Sequence, residues 1–237
     1  MATPPVFAAE YEGANWNTTT HPKTAAVDLA PGDVLVVCGA AEADGLVIST
    51  PTGGGLTYTP DETVVVTNYA AIYTWTVAST SGQTYTLSLD TNNFSLFWGF
   101  NAVRFSGSNG AGGSAQAHVL SGAPTLNLTT TGDNSALVCI VADFNAVDGT
   151  SRTWRTVNGI TPTAGNGYEL TYFRDASAYT VYVAYYPDAG LIGTCTVGLS
   201  APTGQKYSIA VIEVLATDAP GPGGSPTAKQ LAWYPNL

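Results

Sequence analysis

Apolar and polar residues alternate along short stretches of this chain, and alternation of period two is the mark of a strand with one face on a core. In residues 27–29, 57–59, 64–66, 72–77, 85–89 and 98–105, β-branched and aromatic side chains fall on every second position between turns rich in Gly, Asp, Asn and Pro. Residues 126–128, 136–142, 153–157, 169–173, 179–186, 194–199 and 207–215 continue the pattern. No window shows the spacing of an amphipathic helix. The expected fold is all-β, an antiparallel β-sandwich of jelly-roll type. Two runs depart from alternation: VLVVC (34–38) and ALVCIV (136–141) are apolar on both sides of the pleat. Such runs predict interior strands covered on both faces, and they open the possibility that two halves share one core.

The pattern occurs twice. Trp98, Phe100, Ala102 and Arg104 are echoed by Tyr207, Ile209, Val211 and Glu213, a shift of 109 positions (207 − 98) that keeps strand parity. IYTWTV (72–77) aligns with VYVAYY (181–186), and TYTLSL (84–89) with TCTVGL (194–199). VLVVCGAAEADG aligns with ALVCIVADFNAVDG, which sets Cys38 opposite Cys139 and Asp44-Gly45 opposite Asp148-Gly149. The chain is read as internally duplicated. Residues 1–112 form a first sandwich repeat with its leading segment, 113–218 a second, and 219–237 a Pro/Gly linker with an aromatic C-terminal arm. The Gly/Ser/Ala stretch 106–118 reads as a flexible crossing between the repeats.

Charge narrows the function classes. Charged residues make up 10% of the 237 residues, against roughly 25% in typical soluble proteins, and a surface poor in charge suits burial against partners. The net charge is −10 and the seven Lys and Arg are scattered, so no cluster is available to neutralise phosphates and nucleic-acid binding is not expected. Residues 1–16 lack the basic start and apolar stretch of a secretion signal. The longest apolar runs fall well short of the roughly 18 residues that cross a bilayer, so membrane insertion is not expected. Cys38, Cys139 and Cys195 cannot all pair with one another, and buried free thiols are the expected state.

Candidate chemistry is sparse. His21 precedes Pro22 and His118 lies in the presumed crossing, so neither is placed to serve a nucleophile. Asp143, Asn145, Asp148 and Gly149 resemble the start of a calcium loop, but position twelve from Asp143 is Trp154 rather than Glu, and a polar turn is the better reading. Asp61-Glu62 and Glu10/Glu12 are carboxylate pairs of the sort glycoside hydrolysis needs, yet pairs of this kind arise by chance among 17 acidic residues. Gly53-Gly54-Gly55 lacks the Lys and helix start of a phosphate loop. No catalytic residue, metal or cofactor is assigned. Aromatic residues remain: Trp75 and Trp98 are expected in the core, while Trp16 and Trp154 are candidates for stacking on a glycan. Leu231, Trp233, Tyr234 and Leu237, at the end of the linker, are candidates for partner binding, either on a neighbouring surface or folded back on their own domain.

The segment WNTTTHPKTAAVDLAPGDVLVVCGAAEADG, then STPTGGGLTY, the Ile-Tyr-Thr-Trp strand, TYTLSL and FNAVRFSGS, resembles the repeated sandwich domain of actinobacterial bacteriophage virion proteins, commonly called minor tail proteins. The likeness spans roughly residues 15 to 217, and the second half follows it more loosely, with VYVAYYPDAG lacking the Trp. The resemblance implies a non-enzymatic structural role on the virion after assembly in the host cytoplasm, as a minor tail protein or a capsid decoration protein. Its implied partners are other virion proteins, major capsid or tail subunits, with further copies of itself. An adhesion module for host cell-surface glycan is the alternative. The resemblance supplies no catalytic residue.

Overall fold

The computed structural model describes residues 2–13, 15–144, 151–175, 178–204 and 206–217. The architecture is all-β, with antiparallel pairing throughout the ladders and, among the described residues, one short 3-10 turn at Ala164–Asn166 as its only helical element. No helix among them is long and apolar enough to cross a membrane.

Two five-stranded sheets form the centre. The first holds β1 (Val6–Glu12), β7 (Trp98–Ser106), β3 (Val34–Ala41), β5 (Ala71–Ala78) and β4 (Thr59–Val64), in that order. The second holds β8 (Ser108–Val119), β15 (Lys206–Ala216), β10 (Ala136–Phe144), β13 (Tyr179–Tyr186) and β12 (Glu169–Arg174). Outside the first lies the pair β2 (Lys23–Leu29) and β6 (Gln83–Leu89). Outside the second lie β9 (Thr125–Thr129), β14 (Thr194–Ala201) and β11 (Thr153–Trp154).

Burial explains the layering. Val34, Val36, Cys38 and Ala40 of β3 point into one cluster with Ala136, Val138, Ile140 and Ala142 of β10, and with Val103, Phe105, Val181, Val183, Ala210 and Ile212. The central core is therefore common to both halves of the chain. The alternate residues of β3, Leu35 and Val37, pack with Val27, Leu29, Leu87 and Leu89 of the outer pair. Leu137, Cys139 and Val141 of β10 likewise pack with Leu126, Leu128, Val197 and Leu199. Every residue of β3 is buried, and all of β10 except its last. Each fully buried Val, Leu or Ile is worth about 1.5–3 kcal/mol of transfer free energy, and a strand flanked by two cores gains on both faces.

The five-stranded sheets of the two halves match in strand order and pairing, while β11 beside β14 has no counterpart among the strands of the first half. β3 pairs with β7 so that Val34 faces Phe105 and Ala41 faces Trp98. β10 pairs with β15 so that Ala136 faces Val214 and Asp143 faces Tyr207. The first strands are offset by 102 (136 − 34) and the last by 109 (214 − 105) at both ends of the ladder. This register equates Cys38 with Ile140 and Val37 with Cys139. The sequence alignment of Cys38 with Cys139 is thus one residue out, and a one-residue slip reverses the face of every side chain. Cys38 lies in the shared core and Cys139 in an outer one. All three cysteines are free, and burial pushes the Cys38 and Cys139 thiols far up.

Two expectations are corrected. The Gly/Ser/Ala stretch is no crossing loop: residues 108–119 are β8, the edge strand of the second sheet, and His118 stands in register with Ser208. Its small residues permit close approach. A Cβ on Gly112 would lie 2.3 Å from Glu213 Oε2. That buried carboxylate accepts hydrogen bonds from Gly113 N at 2.7 Å, Thr131 N at 2.9 Å, Thr131 Oγ1 at 2.8 Å and Gly132 N at 3.0 Å. Asp143, read as a turn residue, is instead a fully buried member of β10 whose Oδ1 accepts from Thr180 N at 3.1 Å. Asn145 and the turn Asp148-Gly149 lie outside the described residues.

Candidate functional site

Trp16 and Trp154, the candidate stacking residues, are both interior. Trp16 is 6% exposed, belongs to the shared core and lies 6.5 Å from the Phe173 ring. Its ring covers Gly99 of β7, where an added Cβ would meet ring atoms at 2.5 Å. The Tyr179 hydroxyl donates to the Trp16 carbonyl at 2.7 Å, so this residue ties the first half to β13 of the second. Trp75 and Trp98 are core residues.

Trp154 is 2% exposed and forms part of a polar cluster at one end of the second half. Its Nε1 donates to Glu169 Oε2 at 2.8 Å. Arg152 grips the same carboxylate with two nitrogens, Nε to Oε2 at 2.7 Å and Nη2 to Oε1, and its guanidinium lies 3.7 Å from the Tyr172 ring centroid. Those bonds to Glu169 raise the Arg152 guanidinium above its ordinary value, holding it charged. The bidentate fork with a ring beneath it fixes the short strand β11 against β12. Nothing in the sequence pairs Arg152 with Glu169 beforehand, because 17 positions separate them.

Beside this cluster opens a cleft of about 910 Å³. Hydroxyls of Thr153, Thr156, Thr194, Thr196 and Ser200 line it, together with Arg155. Arg155 Nε is buried with no hydrogen-bond partner. The lining is polar, with Thr156, Thr194, Thr196 and Ser200 hydroxyls bonded to Thr161, Thr129, Asn127 and the Thr153 carbonyl, a surface of the kind a hydroxyl-rich ligand contacts. Leu191, which lines it, is 77% exposed, and the next residue, Ile192, is also exposed.

A second concavity, of about 470 Å³, lies where the N-terminal segment crosses the second sheet. Pro4, Pro5, Val6 and Phe7 form one wall and Tyr168, Tyr185 and Pro187 the other. Phe7 stacks on Tyr185 with centroids 4.7 Å apart, and Tyr168 meets Tyr185 edge-on at 5.2 Å. This groove was not visible in the sequence, since its walls are 161 (168 − 7) to 183 (187 − 4) positions apart.

The carboxylate pairs are held by their own neighbours. Thr171 Oγ1 lies 3.3 Å from Glu10 Oε1 and 3.0 Å from Glu12 Oε1, and the buried Asn101 donates to Glu10 and to Thr171. Burial raises the Glu10 carboxyl despite the Asn101 bond. Asp61 Oδ1 accepts from Thr76 Oγ1 at 3.2 Å while Oδ2 is buried without a partner. Burial moves the Asp61 carboxyl up to about 6, against the opposing Thr76 bond and with help from Glu62. Glu62 Oε1 turns to Ser114 Oγ of β8 at 2.7 Å. Thus Glu10 and Glu12 meet at the β1–β12 seam, and Asp61 and Glu62 at the β4–β8 seam. Both pairs sit between the halves, and Asp61 lines a cleft of about 520 Å³ there with Thr76, Ala111 and Gly112.

His21 stacks on Phe94 at 3.8 Å and lies 3.3 Å from Asp90, while His118 meets Tyr69 edge-on at 5.4 Å. Among the described residues, no group of three or more His, Cys, Asp or Glu is arranged to hold a metal ion. Leu231, Trp233, Tyr234 and Leu237 lie outside the described residues. Comparison with protein-family models, with curated proteins and with solved structures finds no match to this chain.

Proposed function

We propose that this chain is a non-enzymatic structural protein of a bacteriophage particle, a minor tail or capsid decoration protein, built by duplication of a jelly-roll unit. The observation that carries this reading is the pair of sheets with the same strand order and ladder register, stacked on one core. The first half runs first, last, third, fifth, fourth strand in its large sheet with second beside sixth outside it, and the second half runs first, last, third, sixth, fifth with second, seventh and fourth outside it, an order that supports a jelly roll, an architecture common in capsid and lectin domains. The sequence resemblance to virion sandwich domains points the same way. Sparse charge and exposed apolar residues such as Leu120, Leu191 and Ile192 suit a subunit that other virion proteins, or further copies, cover.

The test is location. A lysate from the infected host, fractionated by sedimentation and probed with antibody to the recombinant chain, should show it with intact particles, and immunogold should then mark tail or capsid. A chain found only in the soluble fraction overturns the reading.

Host-glycan binding is a second reading, supported by the Thr- and Ser-lined cleft that includes Arg155 and Trp154. Titration with host cell-wall glycans should perturb tryptophan emission in the native chain and leave an Arg155→Ala variant unchanged. No response to any of those glycans rules it out.

A further inference from the structure

The last described residue of the chain, Thr217, is paired with Thr3, which lines the aromatic groove. Thr217 N donates to Thr3 O at 3.2 Å, and Thr3 N donates to Thr217 O at 2.9 Å, an isolated antiparallel bridge. The next residues after Thr3, Pro4 to Phe7, are the wall of that groove. Ala2 is itself tied down, its carbonyl accepting from Asn134 Nδ2 at 2.9 Å. The start of residues 218–237 is therefore fixed beside a concavity whose walls are mainly proline, valine and aromatic rings.

Those residues carry the matching chemistry. A Pro/Gly stretch is followed by Lys229, Leu231, Trp233, Tyr234 and Leu237. Fourteen residues lie between Thr217 and Leu231 counted inclusively of the latter (231 − 217), a tether with a typical end-to-end distance of about 20 Å if it behaves as a coil, ample to turn back into the groove. A short tether of this kind presents its end at an effective concentration on the order of millimolar. Val6, on the groove wall, is 60% exposed, so apolar surface there is uncovered by the described residues. Asp188 also lines the groove, an acidic residue opposite in charge to Lys229 of that segment.

We propose that the groove formed by Pro4, Pro5, Val6, Phe7, Tyr168 and Tyr185 is the docking site for the Leu231–Leu237 segment of the same molecule, with the Trp233 ring as its anchor. The occupant is the chain's own segment because the exit point is fixed beside the groove and the tether favours the intramolecular encounter. This inference goes beyond the virion reading and does not rest on it, since an isolated subunit has both groove and segment.

The experiment uses the full chain. The difference between its emission spectrum and that of Trp233→Phe isolates the Trp233 signal, and acrylamide reports its accessibility. Docking predicts a blue-shifted, poorly quenched Trp233 in a species that sediments as a monomer at every concentration. Val6→Asp, at an exposed position whose circular dichroism should stay native, is expected to abolish the blue shift and raise quenching severalfold. A solvent-like Trp233 in the native chain overturns the proposal, as does a shielded Trp233 indifferent to both Val6→Asp and Tyr168→Ser. Shielding that appears only with dimer formation overturns it in favour of exchange between two copies. Particle incorporation is not read here, so neither result bears on virion location.

Discussion

At the scale of single residues, the two most instructive carboxylates are Glu213 and Asp61, which respond to burial in opposite ways. Burial works to raise Glu213, but hydrogen bonds from Gly113, Ser135 and Thr131 outweigh it and leave the group below its ordinary value. A depressed acid contributes stability that is present above the unfolded value and is lost as pH falls through the folded one. Replacing the carboxylate by an amide turns two acceptor oxygens into one acceptor and a donor facing backbone N–H groups. Glu213→Gln is expected to cost about 2–3 kcal/mol at pH 7 by urea denaturation. Gly112→Ala, which presses a methyl onto the same carboxylate, should cost about 1–3 kcal/mol, while Gly45→Ala, with its nearest neighbour at 4.0 Å, should be near neutral. Asp61 has no such donors around Oδ2 and is raised to about 6. A raised acid binds its proton more tightly folded than unfolded, so its contribution improves as pH falls from about 6 towards the ordinary range near 4. Asp61→Asn should stabilise the chain at pH 7 by about 1–2 kcal/mol, allowing for solvent screening of this half-buried group. It should also remove that part of the rise in melting temperature between pH 7 and 4.5; an unchanged pH profile contradicts the assignment.

At the scale of elements, the strands that pack on both faces were the most legible. β3 and β10 announce themselves because continuous apolar runs have few other uses in a chain without helical spacing. Those two strands have hydrogen-bonded neighbours on both sides and a core above and below, so their amides should exchange slowest with deuterium. Faster exchange in β3 than in the edge strand β1 would contradict this layering. The edge strand β12 was read at 169–173, but the edge strands β1 and β8 were missed. VFAAEYE at β1 is half-exposed throughout, so its alternation is weak, and β8 is nearly all Gly, Ser and Ala, the composition of a linker. What made β8 a strand is the long complementary strand β15 beside it and the Glu213 carboxylate that its glycines admit, and neither can be read from the segment itself. The same holds for Trp16 and Trp154. Their rings looked available because their flanking residues are polar, but Gly99 and Glu169 lie 83 (99 − 16) and 15 (169 − 154) positions away and draw them inside. Only a pairing of distant segments reveals that.

At the scale of the whole molecule, the central question is whether each half is a domain. The sequence reading placed a boundary at residue 112, which falls within β8, so a cut there divides an edge strand from its sheet. A cut after Gly107 separates the two five-stranded sheets cleanly, but it also exposes the cluster that contains Val36, Cys38, Ile72 and Phe105 on one side and Val138, Ile140, Val183 and Ile212 on the other. Each half would then be left with one covered face and one bare apolar face, far larger than the patches a soluble monomer tolerates. The polar seams reinforce the union, through Asn101 to Thr171, Glu62 to Ser114 and Ser208 to the Ala70 carbonyl. Fragments 1–107 and 108–237 expressed singly are therefore expected to aggregate or to bind a hydrophobic dye, and to recover native circular dichroism when co-expressed. The intact chain should unfold in one cooperative transition, with fluorescence and circular dichroism coinciding. A soluble, cooperatively folded 1–107 fragment would show that the outer pair β2–β6 supplies enough core on its own. The shared cluster would then be an interface between domains, and the two halves could be exchanged or permuted freely.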